Sequence, residues 1–480
     1  MRLSALLRRD VDPDPEITGV TADSRQVRPG YLFAALPGAT TDGRRFIPDA
    51  LAAGAAAVLA AEDIDGLPAP VVRACDARRA YALAAAAFWA AQPETCVAVT
   101  GTNGKTSVVT FCRQIFAACG RASASMGTLG VVVGGDQLAP PGLTSPDAAD
   151  VARLLAELAG RGVTHLALEA SSHGIDQRRL DGVRLKAAAF TNLSQDHLDY
   201  HGDMASYRAA KLRLFERVLP RGGAAVLNAD SDAFEAFAEA AARAGQTVLS
   251  VGTNGWGLKL AERIPTAEGQ TLAVEAAGRR HSVRLPLAGA FQASNALVAA
   301  GLCIAAGEEP GAVLAALEHV EGARGRMQRI GAAAGGGEAY VDYAHTPDGL
   351  KTVLEALRPH AQGRLIVVFG AGGDRDRAKR PLMGEIASSL ADIAIVTDDN
   401  PRTEQPSAIR RAILAGAPRA HEIGDRREAI RSATAMLREG DILVVAGKGH
   451  EPGQIVGDRT LPFDDATEVA QALGLEPADG

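Results

Sequence analysis

The chain has 480 residues, of which 47% are hydrophobic and 22% charged, and its formal net charge is -7. This composition is that of an ordinary globular protein, and the length is enough for two to four domains, each with its own core. The sequence contains no large block of clustered Lys and Arg, so we do not expect nucleic acid as a partner.

The first 92 residues predict a small α/β domain. Short apolar runs alternate with turn signals, and Ala-rich helical patterns follow at Ala50–Ala61 and Arg78–Ala91. Pro93 cannot continue a helix, so the second pattern ends before it. The apolar stretch Ala50–Ala61 is too short to span a bilayer, and we therefore expect a helix packed on a sheet and no membrane insertion.

Residues 93–323 predict a central domain built on a parallel sheet. Helical patterns such as Ala148–Ala159 alternate with apolar strands, which are Cys96–Thr100, His165–Leu168, Ala187–Phe190 and Gly223–Leu227. Alternation of this kind favours parallel strands joined by crossover helices.

Residues 324–480 predict a third domain with a Rossmann-like, doubly wound fold. A Gly-rich, hairpin-like stretch at Gly331–Gly337 precedes the strands Leu365–Phe369, Ile393–Thr397 and Ile442–Ala446, which alternate with helices. The predicted fold class is therefore α/β with three domains, 1–92, 93–323 and 324–480.

The strongest local motif follows the first strand of the central domain. A Gly-rich turn there connects the strand to a helical run, so its backbone N–H groups and the helix N-terminus can hold phosphate oxygens. Lys105 can reach the terminal phosphates of a nucleotide, and the Thr106 hydroxyl can ligate Mg²⁺. Val99 stands where the general P-loop pattern has glycine, and a turn without a ligand is the alternative. The expected ATP-binding residues of the loop are Gly101, Thr102, Asn103, Gly104, Lys105, Thr106 and Ser107.

Further sequence blocks follow this loop in a specific order. They are Glu169–Gly174, Thr191–Asp199, Asp342–Pro347, Gly372–Asp376, Asp399–Arg402 and Gly447–Glu451. With the loop Gly-Thr-Asn-Gly-Lys-Thr, they make the chain similar to the Mur ligase family along essentially its whole length. The resemblance implies an ATP-dependent ligase of peptidoglycan synthesis. Such a ligase adds meso-2,6-diaminopimelate to the D-glutamate of UDP-N-acetylmuramoyl-L-alanyl-D-glutamate through an acyl phosphate.

Catalytic roles are assigned partly from position and partly from the resemblance. Glu169 follows a strand at the edge where parallel sheets present ligands, so it can hold Mg²⁺ opposite Thr106, although a helix cap or a surface acid would also fit. By resemblance, His197 approaches a second Mg²⁺, and a structural histidine stays an equal alternative. The expected catalytic residues are Lys105, Glu169, His197 and Lys211, and the expected metal ligands are Thr106, Glu169, His197 and Lys211 as a carbamate.

Lys211 lies in the predicted helix Met204–Leu214 and matches a lysine that is carbamylated in similar ligases. Carbamylation turns a cation into an anion, which suits a Mg²⁺ site. The alternative is a solvated lysine that pairs with Glu216 or Asp203.

The resemblance also implies contacts to the two nucleotides. Asn295 would meet adenine, Arg326 the phosphates and Asp342 the ribose of ATP, while Gln292 stands where similar enzymes often have Asn. His345 is a further candidate that fits a structural turn equally well. The residues expected to contact the uridine-linked dipeptide are Ser24, Ala39, Thr40, Thr41, Thr144, Ser145, Ser171, Gln177 and Arg179. Taken singly, those of the N-terminal domain also fit ordinary polar turns.

The choice of amino acid is expected to depend on Arg402. Diaminopimelate differs from lysine by a distal carboxylate, which an arginine can bind in bidentate fashion. Lysine would leave that guanidinium without a partner, and a desolvated group without a partner discriminates strongly. A surface arginine after an Asn-Pro turn is the alternative. The full expected pocket is Arg375, Asp399, Asn400, Pro401, Arg402, Gly447 and Glu451, with Glu451 available to the distal ammonium.

Three other functions would fit part of these motifs. They are a lysine-adding ligase, a folylpolyglutamate synthase and a P-loop switch that hydrolyses ATP as a signal. Arg402 disfavours the first, the uridine-nucleotide type of N-terminal domain the second, and the Arg402–Glu451 pocket the third. The expected cofactors are ATP and Mg²⁺. A cytoplasmic location is expected, because the five cysteines are odd in number and form no paired motif, which fits free thiols. A monomer is also expected.

Overall fold

The computed structural model describes residues 1–38, 42–62, 64, 66–266 and 268–475. It divides into two compact units. The first comprises Met1–Leu258 with Val298–Val313, and the second comprises Lys259–Leu297 with the chain from Leu314 onward. Each unit is built on parallel sheets flanked by helices, which confirms the predicted α/β class. The domain boundaries at 92/93 and 323/324 stay a prediction.

The first unit begins with a four-stranded parallel sheet of order β1-β2-β3-β4. Its elements are α1 (Leu3–Leu7), β1 (Gly19–Thr21), β2 (Tyr31–Ala35), α2 (Ile47–Ala52), β3 (Ala57–Ala60), β4 (Val71–Arg73) and α3 (Ala77–Trp89). The helix predicted at Ala50–Ala61 is wrong, because α2 ends at Ala52 and the chain turns at Gly54 into β3. Every residue of β3 is buried, and a short apolar run buried on both faces fits a strand as well as a helix.

The larger sheet of this unit carries the phosphate loop. Its elements are β5 (Thr95–Thr100), α4 (Lys105–Ala118), β6 (Ser123–Gly127), β7 (Gly130–Val133), β8 (Asp136–Ala139), α5 (Ala148–Gly160), β9 (His165–Glu169), α6 (Ser172–Asp176), β10 (Ala187–Phe190), α7 (Leu198–His201), α8 (Met204–Arg213), β11 (Ala224–Asn228), α9 (Phe234–Arg243) and β12 (Thr247–Gly252).

The strands of this sheet follow the order β12-β11-β10-β5-β9-β6-β7-β8. All pairs from β12 to β6 are parallel, and β7 and β8 extend the sheet in antiparallel fashion. The four strands predicted here are confirmed to within a residue at each end. Because β10, β5 and β9 are parallel neighbours, the residues that follow them meet at one edge of the sheet.

The second unit contains a group of long strands and a doubly wound sheet. The helices and strands of the chain from Leu258 onward are β13 (Leu258–Thr266), β14 (Gly269–Ala276), β15 (Arg279–Leu285), α10 (Ala290–Ala305), α11 (Pro310–Ala316), β16 (Gln328–Ala332), β17 (Glu338–Asp342), α12 (Pro347–Leu357), β18 (Leu365–Phe369), α13 (Lys379–Leu390), β19 (Ile393–Val396), α14 (Pro406–Leu414), β20 (His421–Glu422), α15 (Arg426–Ala435), β21 (Ile442–Ala446), β22 (Gly453–Val456), β23 (Arg459–Pro462) and α16 (Asp465–Leu473).

The six-stranded sheet of order β16-β17-β21-β18-β19-β20 is parallel except for β16. Alternate residues of β18 enter two different apolar cores, Val367 on one face and Val368 on the other. Helices α12, α13 and α14 pack on the first face and α15 and α16 on the second, as the doubly wound prediction requires. Within the described ranges, no helix is long and apolar enough to cross a membrane.

Candidate active site

The phosphate loop connects β5 to α4 through two glycines in the left-handed half of backbone space. Gly101 has φ +151°, and a Cβ there would lie 1.9 Å from the Thr191 hydroxyl oxygen. Gly104, with φ +89°, is the N-cap of α4 and has no side chain with which to cap it. No side chain of the described residues caps α4, so its N-terminus can receive an anion, as expected of a phosphate site.

The segment after β10 holds the loop in shape. The Asn192 backbone carbonyl accepts a hydrogen bond from Thr102 N at 2.9 Å, and the Asn192 side chain accepts one from Asn103 N at 2.9 Å. The Thr191 hydroxyl donates to Asn103 O at 2.6 Å, and Ser194 N donates to the Thr102 hydroxyl at 3.0 Å. The block Thr191–Asp199 thus acts first as a support for the loop.

Two lysines converge on one carbonyl of the loop. Lys105 Nζ donates to Gly101 O at 2.9 Å and to Thr102 O at 2.8 Å, and Lys211 Nζ donates to Gly101 O at 2.8 Å. Lys211 is only 1% exposed and its Nζ lies 4.4 Å from the centre of the Tyr207 ring. Burial, and after it the charge of Lys105, holds the pKa of Lys211 well below its usual range. The solvated-lysine alternative is therefore wrong, and burial favours the uncharged amine, which is the form that reacts with CO₂.

Glu169 lies at the same edge of the sheet as the phosphate loop, at the carboxyl end of the neighbouring strand β9. It is the last residue of β9 and is 2% exposed, so it is not a surface acid, and the helix that follows is capped by Ser171 instead. Its carboxylate accepts hydrogen bonds from Thr128 N at 2.8 Å and from the Thr128 hydroxyl at 3.1 Å. Thr128 was not anticipated from the sequence, because it belongs to a turn without a recognisable motif.

The fit of this edge to Mg²⁺ depends on the state of Lys211. Glu169 and Thr106 offer the oxygen ligands that Mg²⁺ prefers. A lysine ammonium beside them repels a cation, whereas a carbamate adds oxygens and negative charge. Across the described part of the chain, no cluster of three or more His, Cys, Asp or Glu side chains could hold a metal ion. The residues therefore fit Mg²⁺ only with help from a substrate phosphate or from a carbamate.

His197 belongs to a cluster of rings around His173 that the sequence did not reveal. It is the N-cap of α7 with φ +53°, and its Nε2 is 3.4 Å from an Asp196 carboxylate oxygen. The His173 ring lies 4.9 Å from that of His197, 4.1 Å from Tyr200 and 5.5 Å from His201. Burial, and then the neighbouring histidines, lower the pKa of His173. His173 lies within the predicted block Glu169–Gly174, from which no role for it followed, and no sequence motif points to His201.

Most residues expected to contact the muramoyl peptide form one hydrogen-bonded group. The Ser145 hydroxyl lies 3.0 Å from that of Ser171, and Arg179 donates to Ser145 O at 2.6 Å and to the Gln177 side chain at 2.7 Å. The Thr144 hydroxyl, 3.1 Å from that of Thr128, joins this group to the Glu169 carboxylate. These residues span 36 positions of the sequence, and the fold brings them together at the edge of the sheet.

The uridine-nucleotide residues are more distant in the chain. Ser24 begins a short 3-10 turn, Ser24–Gln26, that is capped by the Asp23 carboxylate. Ala39, Thr40 and Thr41 lie outside the described residues.

In the second unit, the residues expected at ATP form a chain of contacts. Asn295 Nδ2 donates to the Gln292 side chain at 3.1 Å, and Gln292 Nε2 donates to Arg326 O at 3.4 Å. Both Asp342 carboxylate oxygens accept backbone N–H groups, from Met327 at 2.7 Å and Ala344 at 2.8 Å. Asp342 thereby holds the segment that carries Arg326. His345 Nδ1 lies 2.9 Å from Tyr343 O, which favours the structural alternative for this histidine.

The residues expected at diaminopimelate surround the carboxyl ends of β18, β19 and β21. Arg402 Nη1 donates to Gly373 O at 2.8 Å, and a Cβ on Gly372 would lie 2.8 Å from the same nitrogen. The exposed Arg375 approaches the same side of Gly372, with its Cγ 3.8 Å from that Cβ position. The side chains of two arginines thus approach one glycine.

The other side of this pocket is held by side-chain amides and by glycine. Asn400 Nδ2 donates to a Glu451 carboxylate oxygen at 2.8 Å. Gly447 has φ +120°, and a Cβ there would lie 2.5 Å from an Asp399 carboxylate oxygen. Pro401 is buried, and its carbonyl would meet a Cβ on Gly373 at 1.9 Å. The structure therefore brings all seven expected pocket residues into neighbouring loops.

Models of three protein domains match the chain. They are described as Mur ligase family, catalytic domain, over residues 16–89; Mur ligase middle domain, over 99–303; and Mur ligase, glutamate ligase domain, over 325–449.

Three known proteins illustrate what the chain is similar to. A UDP-N-acetylmuramoyl-L-alanyl-D-glutamate--2,6-diaminopimelate ligase of Caulobacter vibrioides is 68% identical over 98% of both chains. A solved structure of a ligase with the same name has 34% identity and a TM-score of 0.77 and covers 99% of both chains. A folylpolyglutamate synthase of Mycobacterium tuberculosis complexed with ADP shares the fold, with a TM-score of 0.63 over 78% of this chain and 92% of that one, at 21% identity.

Proposed function

The chain belongs to the Mur ligase family, and from that premise we propose that it adds meso-2,6-diaminopimelate to UDP-N-acetylmuramoyl-L-alanyl-D-glutamate at the expense of ATP. The new amide bond forms at the D-glutamate of the acceptor, a step of peptidoglycan synthesis. The Caulobacter relative carries the name of this activity and matches nearly the whole chain.

The convergence of Lys105 and Lys211 on the Gly101 carbonyl is the observation that carries this proposal. A carboxylate is a poor electrophile, and transfer of the ATP γ-phosphate turns it into an acyl phosphate with a good leaving group. The transferred group carries several negative charges, so catalysis depends mainly on positioning and on fixed positive charge. Lys105 and the N-terminus of α4 supply that charge at one end of the sheet edge.

The residues at the rest of this edge orient the acceptor. The group Thr144, Ser145, Ser171, Gln177 and Arg179 offers hydroxyls and a guanidinium beside Glu169, where an anionic peptide can bind. In our proposal this group places the D-glutamate carboxylate near the loop. Attack by the diaminopimelate amine on the acyl phosphate then releases phosphate.

Mg²⁺ is the proposed metal, held by Thr106, Glu169, His197 and carbamylated Lys211, and when bound it offsets the charge of the phosphates. The lowered pKa of the buried Lys211 supports carbamylation, because only the unprotonated amine combines with CO₂. The carbamate would also place an anion next to Lys105.

Arg402 and Arg375 are the proposed readers of the distal carboxylate of diaminopimelate, and Glu451 of its distal ammonium. Two arginine side chains that approach one glycine favour an anionic ligand over the aliphatic amine of lysine. Asn295, Arg326 and Asp342 are the proposed contacts to ATP, and Ser24 with the turn Ala39–Thr41 to the uridine nucleotide. We further propose a monomer that acts in the cytoplasm.

An ADP-release assay with the uridine-linked dipeptide and a panel of amino acids tests the proposal. Release should require both the dipeptide and an amino acid, with diaminopimelate far ahead of lysine. Equal use of the two amino acids would refute the specificity, and ADP release that ignores both substrates would indicate a P-loop switch instead.

A further inference from the structure

Lys448 is a buried charge for which the proposed reaction has no role. It follows β21 at the edge where the amino-acid pocket lies, and its side chain is 0% exposed. An ammonium in such a place is unfavourable unless acceptors surround it. Its neighbours should therefore reveal what it does.

Two pocket residues provide those acceptors. Lys448 Nζ donates to Asn400 Oδ1 at 3.0 Å and lies 3.5 Å from Glu451 Oε2. Asn400 Oδ1 also accepts a hydrogen bond from Ile455 N at 2.9 Å. Two donors on the same oxygen fix the orientation of the amide, so that Asn400 Nδ2 must face Glu451 Oε2, at 2.8 Å.

The Glu451 carboxylate is consequently held by one of its two oxygens. Oε2 faces the Asn400 amide and the Lys448 ammonium, while Oε1 accepts no hydrogen bond from any residue that the structure describes. The side chain is 34% exposed, so the second oxygen is within reach of a ligand.

We propose that Lys448 is a positioning residue for the amino-acid substrate, which holds Glu451 so that its second oxygen receives the distal ammonium of diaminopimelate. The proposal rests on the function proposed above. It differs from a purely structural role, in which Lys448 would stabilise the fold without favouring one amino acid over another.

An analogue of the substrate separates these two roles. 2-Aminopimelate keeps the reacting amine and the distal carboxylate but lacks the distal ammonium, so it makes no use of Glu451. Purified full-length wild-type protein and the variant Lys448→Met are compared by kcat/KM for each of the two amino acids, at saturating ATP and uridine-linked dipeptide. Arg364→Met is the matched control, because Arg364 pairs with Asp441 at the opposite, amino end of β21.

In Lys448→Met, kcat/KM for diaminopimelate should fall by about 10- to 100-fold, mainly through KM, as when one partner of a buried charge pair is removed. The value for 2-aminopimelate should change by less than about threefold, and the KM for ATP should stay unchanged. Arg364→Met should lower thermal stability and affect both amino acids alike.

Equal losses for the two amino acids, or no loss for either, would overturn the positioning role. If Lys448→Met does not fold, Lys448→Gln keeps a donor to Asn400 but removes the charge, and the same comparison decides. Failure of the wild-type protein to use diaminopimelate would instead overturn the proposed function, so the two failures are distinguishable.

Discussion

Lys211 shows how the environment of one side chain can reverse its usual chemistry. A lysine in water is protonated and unreactive toward CO₂, but Lys211 is buried and shares the Gly101 carbonyl with a second lysine. Desolvation and the neighbouring positive charge both disfavour its ammonium form. Carbamylation removes this conflict, because it produces an anion next to Lys105.

Replacement of Lys211 by arginine is therefore expected to lower kcat by ~10²–10³-fold, the usual effect of losing one charge-stabilising group. A guanidinium stays protonated and cannot form the carbamate. Activity assays on Lys211→Arg, with a mass measurement of the wild-type peptide under mild conditions, check this. Full activity in the variant would end the idea of carbamylation.

Glu404 determines part of the acid stability at the same scale. Hydrogen bonds from the Arg380 side chain and from Asp374 N lower the pKa of Glu404 to about 2. A carboxyl whose pKa is lower in the folded state stabilises the protein above its unfolded pKa, near 4.5, and this stabilisation is lost as the pH falls toward 2.

Glu404→Gln should consequently be less stable than wild type at neutral pH, and the difference should shrink between pH 4.5 and 2. Thermal melts across this range measure it, with the exposed Glu355→Gln as control. A pH-independent difference would contradict the linkage.

At the scale of elements, the phosphate loop is shaped by a neighbouring strand as much as by its own residues. Gly101 leaves no space beside Thr191, and Asn192 binds the loop backbone twice. The loop and the segment after β10 therefore form one rigid anion site, and each depends on the other.

Gly101→Ala should raise the KM for ATP by about 10-fold or more and cost about 1–3 kcal/mol of unfolding free energy, because the new Cβ overlaps the Thr191 hydroxyl and the backbone is strained. Kinetics and chemical denaturation test both effects. Gly135→Ala, at a position with open space around it, should change neither.

Arg402 connects the loops after β18 and β19. Its guanidinium faces Gly373 and Arg375 lies nearby. Arg402→Met should reduce the preference for diaminopimelate over lysine by ~10²-fold, since the distal carboxylate loses its charged partner. Competition between the two amino acids measures this ratio. An unchanged ratio would show that Arg402 does not read the substrate.

At the scale of the molecule, helix α3 and helix α5 pack together within the first unit. The Tyr81 hydroxyl donates to an Asp147 carboxylate oxygen at 2.5 Å. The same oxygen caps α5, because it also accepts a hydrogen bond from Ala149 N at 3.0 Å. The helix that covers the N-terminal sheet is thereby joined to the start of the helix beside Ser145.

Tyr81→Phe should lower the free energy of unfolding by about 1–2 kcal/mol, because a mostly buried carboxylate loses a donor. Urea denaturation measures the loss. Arg153→Met, which removes only exposed ion pairs with Asp150 and Glu157, should change stability by less than about 0.5 kcal/mol.

The sequence by itself determined the α/β class, the order along the chain of the parallel strands and the motifs that follow them, and the location of the phosphate loop. Strands buried on both faces, such as β5 and β18, are continuous apolar runs. Backbone positions with positive φ, as in the phosphate loop, are restricted to a few residue types, above all glycine. The same rule failed at Ala50–Ala61, where an Ala-rich run contains the end of a helix and a strand. Strands β6 to β8 and β13 to β15 were missed, because many of their residues are small or polar.

Only the tertiary structure decided what the charged residues do. Burial and the distances between side chains that are far apart in sequence determine whether a lysine is solvated or enclosed. Lys211 and Thr128 acquire their roles from Gly101 and Glu169, which reach them from other strands, and Lys448 from Asn400, which reaches it from the loop after β19. Such contacts depend on long-range packing, and local sequence carries no information about them.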